Sequence, residues 1–445
     1  MYKRRLSVNT AKNLLIAALV ILALFLGGET GLPGEIFGVT SIQDVLGGIF
    51  GSGTPLGTSE DDLPKAALQA AKPLFISVNS AGENGVDRYG VKYDGKLLDS
   101  VYSKYSAVLG EALGSSGDPQ LITREQWEKA LQQNGVFFDY LYDQPLELLA
   151  QWLGTSMNGG AAEHFARRIC LSHEGKSLVL YYYSSDSGSY YRCDTAQSPN
   201  YVLQRIQETR PNGSCFAYEQ ENNEHLDPDT MFVGGITEDG SLTVKNPIGK
   251  TIDANALLEI FAINSYVARR YESDGTTVYV EGEDTLRISS GGGLSFQSAP
   301  ESGIPLTASG ELPTMAEAVE AARALVQSSA GSVSGEAELW LSGVVFNPAK
   351  KEYVISFGYV VGGMPVQLSG SSAAVEITVR EQHIVKAEMI LREYSFSGET
   401  SVPYPEHVSA AALSPGDAGE PLLVYYESGD RADLKWINAS LLQER

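Results

Sequence analysis

Apolar and polar positions fall into distinct regimes along the chain. The first is an unbroken apolar run over 14–26 (LLIAALVILALFL), preceded by Lys3, Arg4, Arg5 and Lys12. A cationic flank ahead of an apolar run begins either a secretory signal or a signal anchor. The run falls short of the roughly 20 residues that span a bilayer. Gly27 and Gly28 lengthen it at one end, and Lys12 and Asn13 at the other if they snorkel toward the headgroups. A small-x-small cleavage pattern is poorly developed after Phe25, so the segment reads as retained. Residues 1–12 are then a short cytoplasmic segment and 13–28 a single transmembrane anchor. Leu14, Leu15, Ile16, Leu19, Val20, Ile21, Leu22, Leu24, Phe25 and Leu26 supply its apolar surface. Positive-inside logic sends everything beyond it to the extracytoplasmic side.

Residues 29–65 are rich in Gly, Ser, Thr and Pro and read as a flexible linker, with a short apolar patch at 42–50. From 66 to 230 the pattern mixes two periods. Strands are predicted at 73–78 and 89–94, the second ending in an Asp94-Gly95 turn. Helical spacing covers 97–113, and a further helix starts at Thr123, with Gln126 placed to complete a capping box. A strand at 135–140 and a helix at 145–153 precede alternating runs at 165–171, 178–183 and 190–194, which predict an antiparallel meander. A helix at 201–208 and a strand at 214–219 close this unit.

A middle unit, 231–308, holds a predicted helix over 252–266 with Leu257, Leu258, Phe261 and Ala262 on one face. Strands at 277–281, 285–289 and 294–297 follow. The last unit, 309–445, opens on an amphipathic helix at 314–327, capped by Thr314 with Glu317 three residues on. Strands are expected at 338–346, 352–361, 374–380 and 384–394. One helix followed by four antiparallel strands predicts a helix-covered sheet. The strand–turn–strand stretches 284–295 and 375–388 read as a degenerate internal repeat. The fold class is therefore α+β: an N-terminal anchor, then a multi-domain ectodomain of antiparallel sheets each packed by helices.

Charge narrows the function. The chain has 32 Lys and Arg against 55 Asp and Glu, a net −23. That balance argues against nucleic acid, whose phosphates require clustered cations. The three cysteines, Cys170, Cys193 and Cys215, lack Cys-x-x-Cys spacing, so they read as buried thiols, with Cys193–Cys215 the easier pairing if one bridge forms. The five histidines show neither HExxH nor His-x-His spacing. There is no Gly-x-Ser-x-Gly elbow or Walker loop, and Gly291-Gly292-Gly293 sits between strands, as a hairpin turn would. The acidic stretch from Glu219 to Asp229 lacks the spacing and central glycine of an EF-hand loop. No catalytic residue, metal ligand or cofactor is assigned.

The order and spacing of several runs resemble the YycH regulators of Gram-positive bacteria, with the C-terminal part similar to their partner YycI. The runs are Tyr89-Gly90-Val91 with Tyr93-Asp94, Gln126-Trp127-Glu128 and Val136 to Tyr140 (VFFDY). In the C-terminal half they are 353–359 (YVISFGY), Gly363-Met364-Pro365-Val366, 422–426 (LLVYY) and Leu434-Lys435-Trp436-Ile437. The long Gly-rich linker and the short anchor depart from the pattern. The resemblance implies a non-catalytic, single-pass membrane protein that works together with a YycI-like partner. It would bind the ectodomain and transmembrane helix of a cell-wall sensor histidine kinase of the WalK (YycG) type. Tyr359, Met364 and Tyr394 are the candidate contact residues. Two other readings are a PepSY-like inhibitor of an extracytoplasmic protease, from the terminal helix-plus-sheet unit, and a secreted glycan-binding protein.

Overall fold

The computed structural model describes residues 65–83, 85–221, 223–234, 239–306, 310, 312–370, 373–413 and 419–443. The anchor residues Leu14 to Leu26 and most of the 29–65 linker lie outside the described residues. Among the described residues, no helix is long and apolar enough to cross a membrane.

The chain enters through α1 (Lys65–Ala70) and strands β1 (Phe75–Gly82) and β2 (Gly85–Val91). The predicted Asp94-Gly95 turn is instead a helix start: the Asp94 carboxylate accepts the Leu97 N–H at 2.9 Å and caps α2 (Gly95–Tyr102). The single helix expected over 97–113 is two. The backbone leaves helical geometry at Tyr105 (φ −124°, ψ −10°) before α3 (Ser106–Gly114). After β3 (Gln120–Ile122) comes α4 (Arg124–Leu131), where Thr123 and Gln126 form the expected capping box. Then follow β4 (Gly135–Pro145), α5 (Leu146–Trp152), the meander β5 (Phe165–Glu174), β6 (Ser177–Ser184) and β7 (Ser189–Asp194), and α6 (Asn200–Glu208).

These seven strands form one antiparallel sheet in the order β2-β1-β4-β5-β6-β7-β3. Strand β4 lies near its middle with α5 and α6 packed against it. Every residue from Gly135 to Leu141 is buried, so β4 reads as a continuous apolar run rather than an alternation. The Thr123–Gln126 capping box and this continuously buried strand are the strongest local determinants of the first lobe.

A two-stranded ladder, β8 (Cys215–Phe216) with β9 (Met231–Phe232), leads to the second sheet. Its strands are β10 (Asp239–Lys245), β11 (Arg269–Ser273), β12 (Thr276–Glu281), β13 (Asp284–Ser289), β14 (Gly293–Gln297), β15 (Ile304–Pro305), β16 (Ala337–Asn347), β17 (Glu352–Val361), β18 (Met364–Gln367), β19 (Val375–Arg380), β20 (His383–Ile390), β21 (Glu393–Ser401), β22 (Pro421–Ser428) and β23 (Arg431–Asn438). The main path runs β11-β12-β13-β14-β20-β19-β17-β18-β22-β23-β10-β21. Pairing along it is antiparallel except between β18 and β22. The hairpins β13–β14 and β19–β20, read from sequence as a repeat, meet side by side through β14 and β20.

The period-2 pattern explains which face of this sheet is covered. Tyr279, Leu286, Phe296, Ala387, Ile377 and Ile355 stand in register across six strands. The flanking row of Arg287, Ser295, Glu388 and Glu376 points to the other face. Helix α7 (Ala254–Ile260) precedes Phe261, whose ring lies 5.3 Å from that of Phe296. Helix α8 (Met315–Ser328), with the predicted Thr314–Glu317 capping box, packs on β16, β17 and β19. Helix α7 stops short of the predicted 252–266 because Ala262 takes a left-handed φ of 57°. The expected strand 384–394 is likewise interrupted: β20 ends at Ile390, and β21 leaves to pair with β10.

One contact docks helix α8 against the first lobe. The Trp152 indole N–H donates to Glu320 at 2.6 Å, and Arg323 grips the same carboxylate from one turn on. Replacing Trp152 with Phe leaves Glu320 paired but removes its buried donor. The expected loss is about 1–2 kcal/mol of unfolding free energy, checked by urea titration with an unchanged m value.

Candidate functional site

The meander carries two arginines, Arg167 and Arg168, inside the otherwise apolar run 165–171 of β5, and both are buried. Burying a guanidinium is unfavourable unless it is paired and fully hydrogen-bonded. The chain meets this need with a carboxylate cluster gathered from distant segments. Asp139 lies opposite Arg168 on β4, at the start of a bulge where Leu141 takes a φ of 66°. The bulge lets one carboxylate serve both cations: Arg167 Nε donates to Asp139 Oδ1 at 3.1 Å and Arg168 Nε to Oδ2 at 3.0 Å.

The second lobe contributes Glu420, just ahead of β22. It accepts from Arg167 Nη2 and from Arg168 Nη2, the latter at 3.3 Å. The connecting segment contributes Asp227, at 3.0 Å from Arg168 Nη1, and Asp229, at 3.4 Å from the same nitrogen. The Trp127 indole N–H donates to Asp229 at 3.1 Å, and Arg124 lies 3.7 Å from it. The result is a charged seam in which one guanidinium, Arg168, is shared by four carboxylates from three parts of the chain. Three carboxylates of the acidic 219–229 stretch are thus engaged by cations: Glu219 pairs with Arg88 at 2.5 Å and Asp227 and Asp229 with Arg168.

Electrostatics follow from this geometry. Burial pushes the Asp139 carboxyl up, but the two arginines more than offset it and hold it at about 2. For Asp229 burial dominates, with Asp227 adding repulsion, and its affinity for a proton is raised despite Arg168. Asp227 is lowered, because the arginine charges outweigh burial.

A second buried pair joins the lobes beside this seam. Lys92 Nζ donates to Glu406 at 2.7 Å and to the Met231 carbonyl at 2.9 Å, over the Phe75 and Tyr93 rings. The Tyr93 hydroxyl accepts the Leu423 N–H at 3.3 Å. Burial lowers the ammonium's hold on its proton, but Glu406 and its neighbours reverse that, so Lys92 stays charged.

The three candidate contact residues belong to the interior. Tyr359 and Met364 are 1% exposed and Tyr394 is 0%. Tyr359 donates to the Ile390 carbonyl, Tyr394 donates to Glu427, and the two rings pack edge to face. Side chains so enclosed present no surface to a partner in this conformation. Large exposed apolar side chains instead concentrate at Tyr266, Val267 and Tyr271, and at Phe396, Val402, Tyr404 and Val408. A shallow groove of about 530 Å³ lies on the uncovered sheet face, lined by Arg287, Ser295, Glu376 and Glu388 among others.

The cysteines are unpaired. Cys170 and Cys193 are buried in the first sheet, and the Cys215 thiol accepts from Gln220, so the Cys193–Cys215 bridge is not formed. Burial raises the Cys170 thiol well above its ordinary value, which makes it a small hydrophobe rather than a nucleophile. The seam itself was missed in the sequence. Its signal was there: a paired Arg in the run FARRICL and a lone Asp in VFFDYL require interior partners.

Two sheets, the first antiparallel and the second antiparallel except between β18 and β22, each packed by helices and joined through a buried ionic seam, define an α+β protein of a particular build. That build is of the YycH type. The solved structure of YycH from Bacillus subtilis aligns with 85% of this chain and 97% of its own length, with a TM-score of 0.52 at 10% sequence identity. No family model and no curated protein matches the chain.

Proposed function

We propose that this chain is a non-catalytic, membrane-tethered extracytoplasmic regulator that binds a cell-wall sensor histidine kinase and shifts its activity, acting with a smaller YycI-like partner. The observation that carries this reading is the YycH-type fold over 85% of the chain. The cationic start and apolar run over 14–26 suit the tether. Regulation then works by differential binding: the ectodomain must prefer one state of the kinase, because equal affinity for both shifts nothing.

The test is co-purification from membranes with the sensor kinase of the same genome, followed by autophosphorylation of the reconstituted pair. Association is expected, with a change in phosphorylation of about fivefold or more, a common size for coupling between sites. A chain lacking residues 1–28 should lose much of this effect, because tethering supplies effective concentration. Failure to co-purify, with phosphorylation unchanged, overturns the reading.

A further inference from the structure

Strand β11 is the outer edge of the large sheet, hydrogen-bonded on one side to β12. All five of its residues are exposed, and Tyr266, just before it, is 97% exposed. An open edge with exposed aromatics is a template for strand addition. The sequence of the edge says what it would accept.

The hairpin turn fixes which backbone groups face outward. Ser273 and Thr276 flank the two-residue turn Asp274-Gly275, whose φ values of 48° and 74° define a type I′ turn. Ser273 and Thr276 are therefore a hydrogen-bonded pair, as are Tyr271 and Val278 two residues on. The N–H and C=O groups of Arg270 and Glu272 consequently point away from β12, toward the open side. An incoming antiparallel strand must bond to these two residues.

The strand reads Arg269-Arg270-Tyr271-Glu272-Ser273. Set antiparallel against itself about Tyr271, it places Arg270 opposite Glu272 twice, in the two hydrogen-bonded positions. Tyr271 then faces its own copy in the closer, non-hydrogen-bonded position, and Arg269 faces Ser273. Slipping the register by one pair in either direction puts Arg270 against Arg270 or Glu272 against Glu272 at the centre, which is repulsive. Within one chain, Arg270 and Glu272 are already bonded at 2.5 Å on the same face, so pairing extends an existing ion pair into a four-residue ladder.

We propose that β11 is a self-complementary pairing edge through which two copies of this chain join their large sheets antiparallel, about a two-fold axis at Tyr271. This inference is independent of the kinase reading. It is an isologous contact, the kind that closes at two copies.

The test uses the full chain in detergent at 0.15 M salt, where screening over about 8 Å limits repulsion between two acidic molecules. Facing residues in a non-hydrogen-bonded pair lie about 4.5 Å apart at Cα, within disulfide reach. Tyr271→Cys should therefore give an oxidation-dependent dimer that the parent chain does not. Arg269→Cys mixed with Ser273→Cys should cross-link more than either alone. Arg270→Glu should weaken association by at least about tenfold by sedimentation, and Arg270→Glu with Glu272→Arg should restore it. All these positions are exposed, and unchanged thermal melts will show that the variants fold. A wild-type chain that stays monomeric overturns the proposal, as does cross-linking indifferent to the charge swap. Capture of a different protein's strand at this edge without self-association also overturns it.

Discussion

Replacing Arg168 with Met is expected to lower unfolding free energy by about 3–5 kcal/mol, the range for breaking a buried ion pair by removing one partner. The size follows from what is left behind. Asp139, Asp229 and Glu420 are all buried and would keep Arg167 and Arg124 as nearby cations, with neutral donors from the Leu141 N–H, the Trp127 indole and the Tyr190 hydroxyl. Lysine at this position separates charge from shape. It keeps the cation but cannot spread donors over Asp139, Asp227, Asp229 and Glu420, which Nε, Nη1 and Nη2 now reach in three directions. Arg168→Lys should therefore fall between wild type and Arg168→Met. If lysine matches arginine in urea titrations, the seam is held by charge alone and the shared fork is irrelevant. Loss of the seam should also loosen the lobes from each other, because Glu420 immediately precedes the strand that Tyr93 meets at Leu423. Faster amide exchange at 421–426 than at 178–183 would report that local opening.

The sequence carries the local rules well and the long-range joins poorly. The Thr123 and Thr314 capping boxes, the 165–194 meander and the alternation in β12–β14 all follow from nearest neighbours in the chain. Strand β10 (DGSLTVK) was not legible, because its partners β21 and β23 come more than 140 residues later and only they make it a strand. Strand β11 was silent for a different reason: with all five residues exposed it has no apolar period to read. The burial of the candidate contact residues was hidden by the same limit. Tyr359, Met364 and Tyr394 sit in strands, and alternation tells which neighbours share a face but not whether a helix covers that face. Helix α8 packs on β17, the strand of Tyr359, from a segment the periodicity of the strands does not mention. The YycH-type build expected from the order of the runs is met at the level of the fold, which aligns over 85% of the chain at 10% identity.

Acidification should act on the seam in two opposed steps. Asp139 is held at about 2 in the folded chain, below the ordinary 3.8, and Asp227 is lowered as well. A carboxyl whose folded value is depressed binds its proton more readily when unfolded. It thus contributes stability that is complete above the unfolded value and is lost as pH falls through the folded one. For Asp139 alone that is about 2 kcal/mol, lost between roughly pH 4 and pH 2. Asp229 has the opposite sign. Its folded value is raised, so the folded chain takes up a proton first, and stability gains slightly as pH falls into the mildly acidic range. The stability profile should therefore rise gently on mild acidification and then drop steeply below about pH 4. Asp229→Asn should flatten the gentle rise, since an amide can still accept from the Trp127 indole but no longer titrates. Asp139→Asn should lower stability at neutral pH and remove much of the steep drop. Urea titrations at intervals from pH 2 to pH 7 on the three chains measure both slopes. A drop that Asp139→Asn leaves intact would assign acid sensitivity to carboxylates outside the seam.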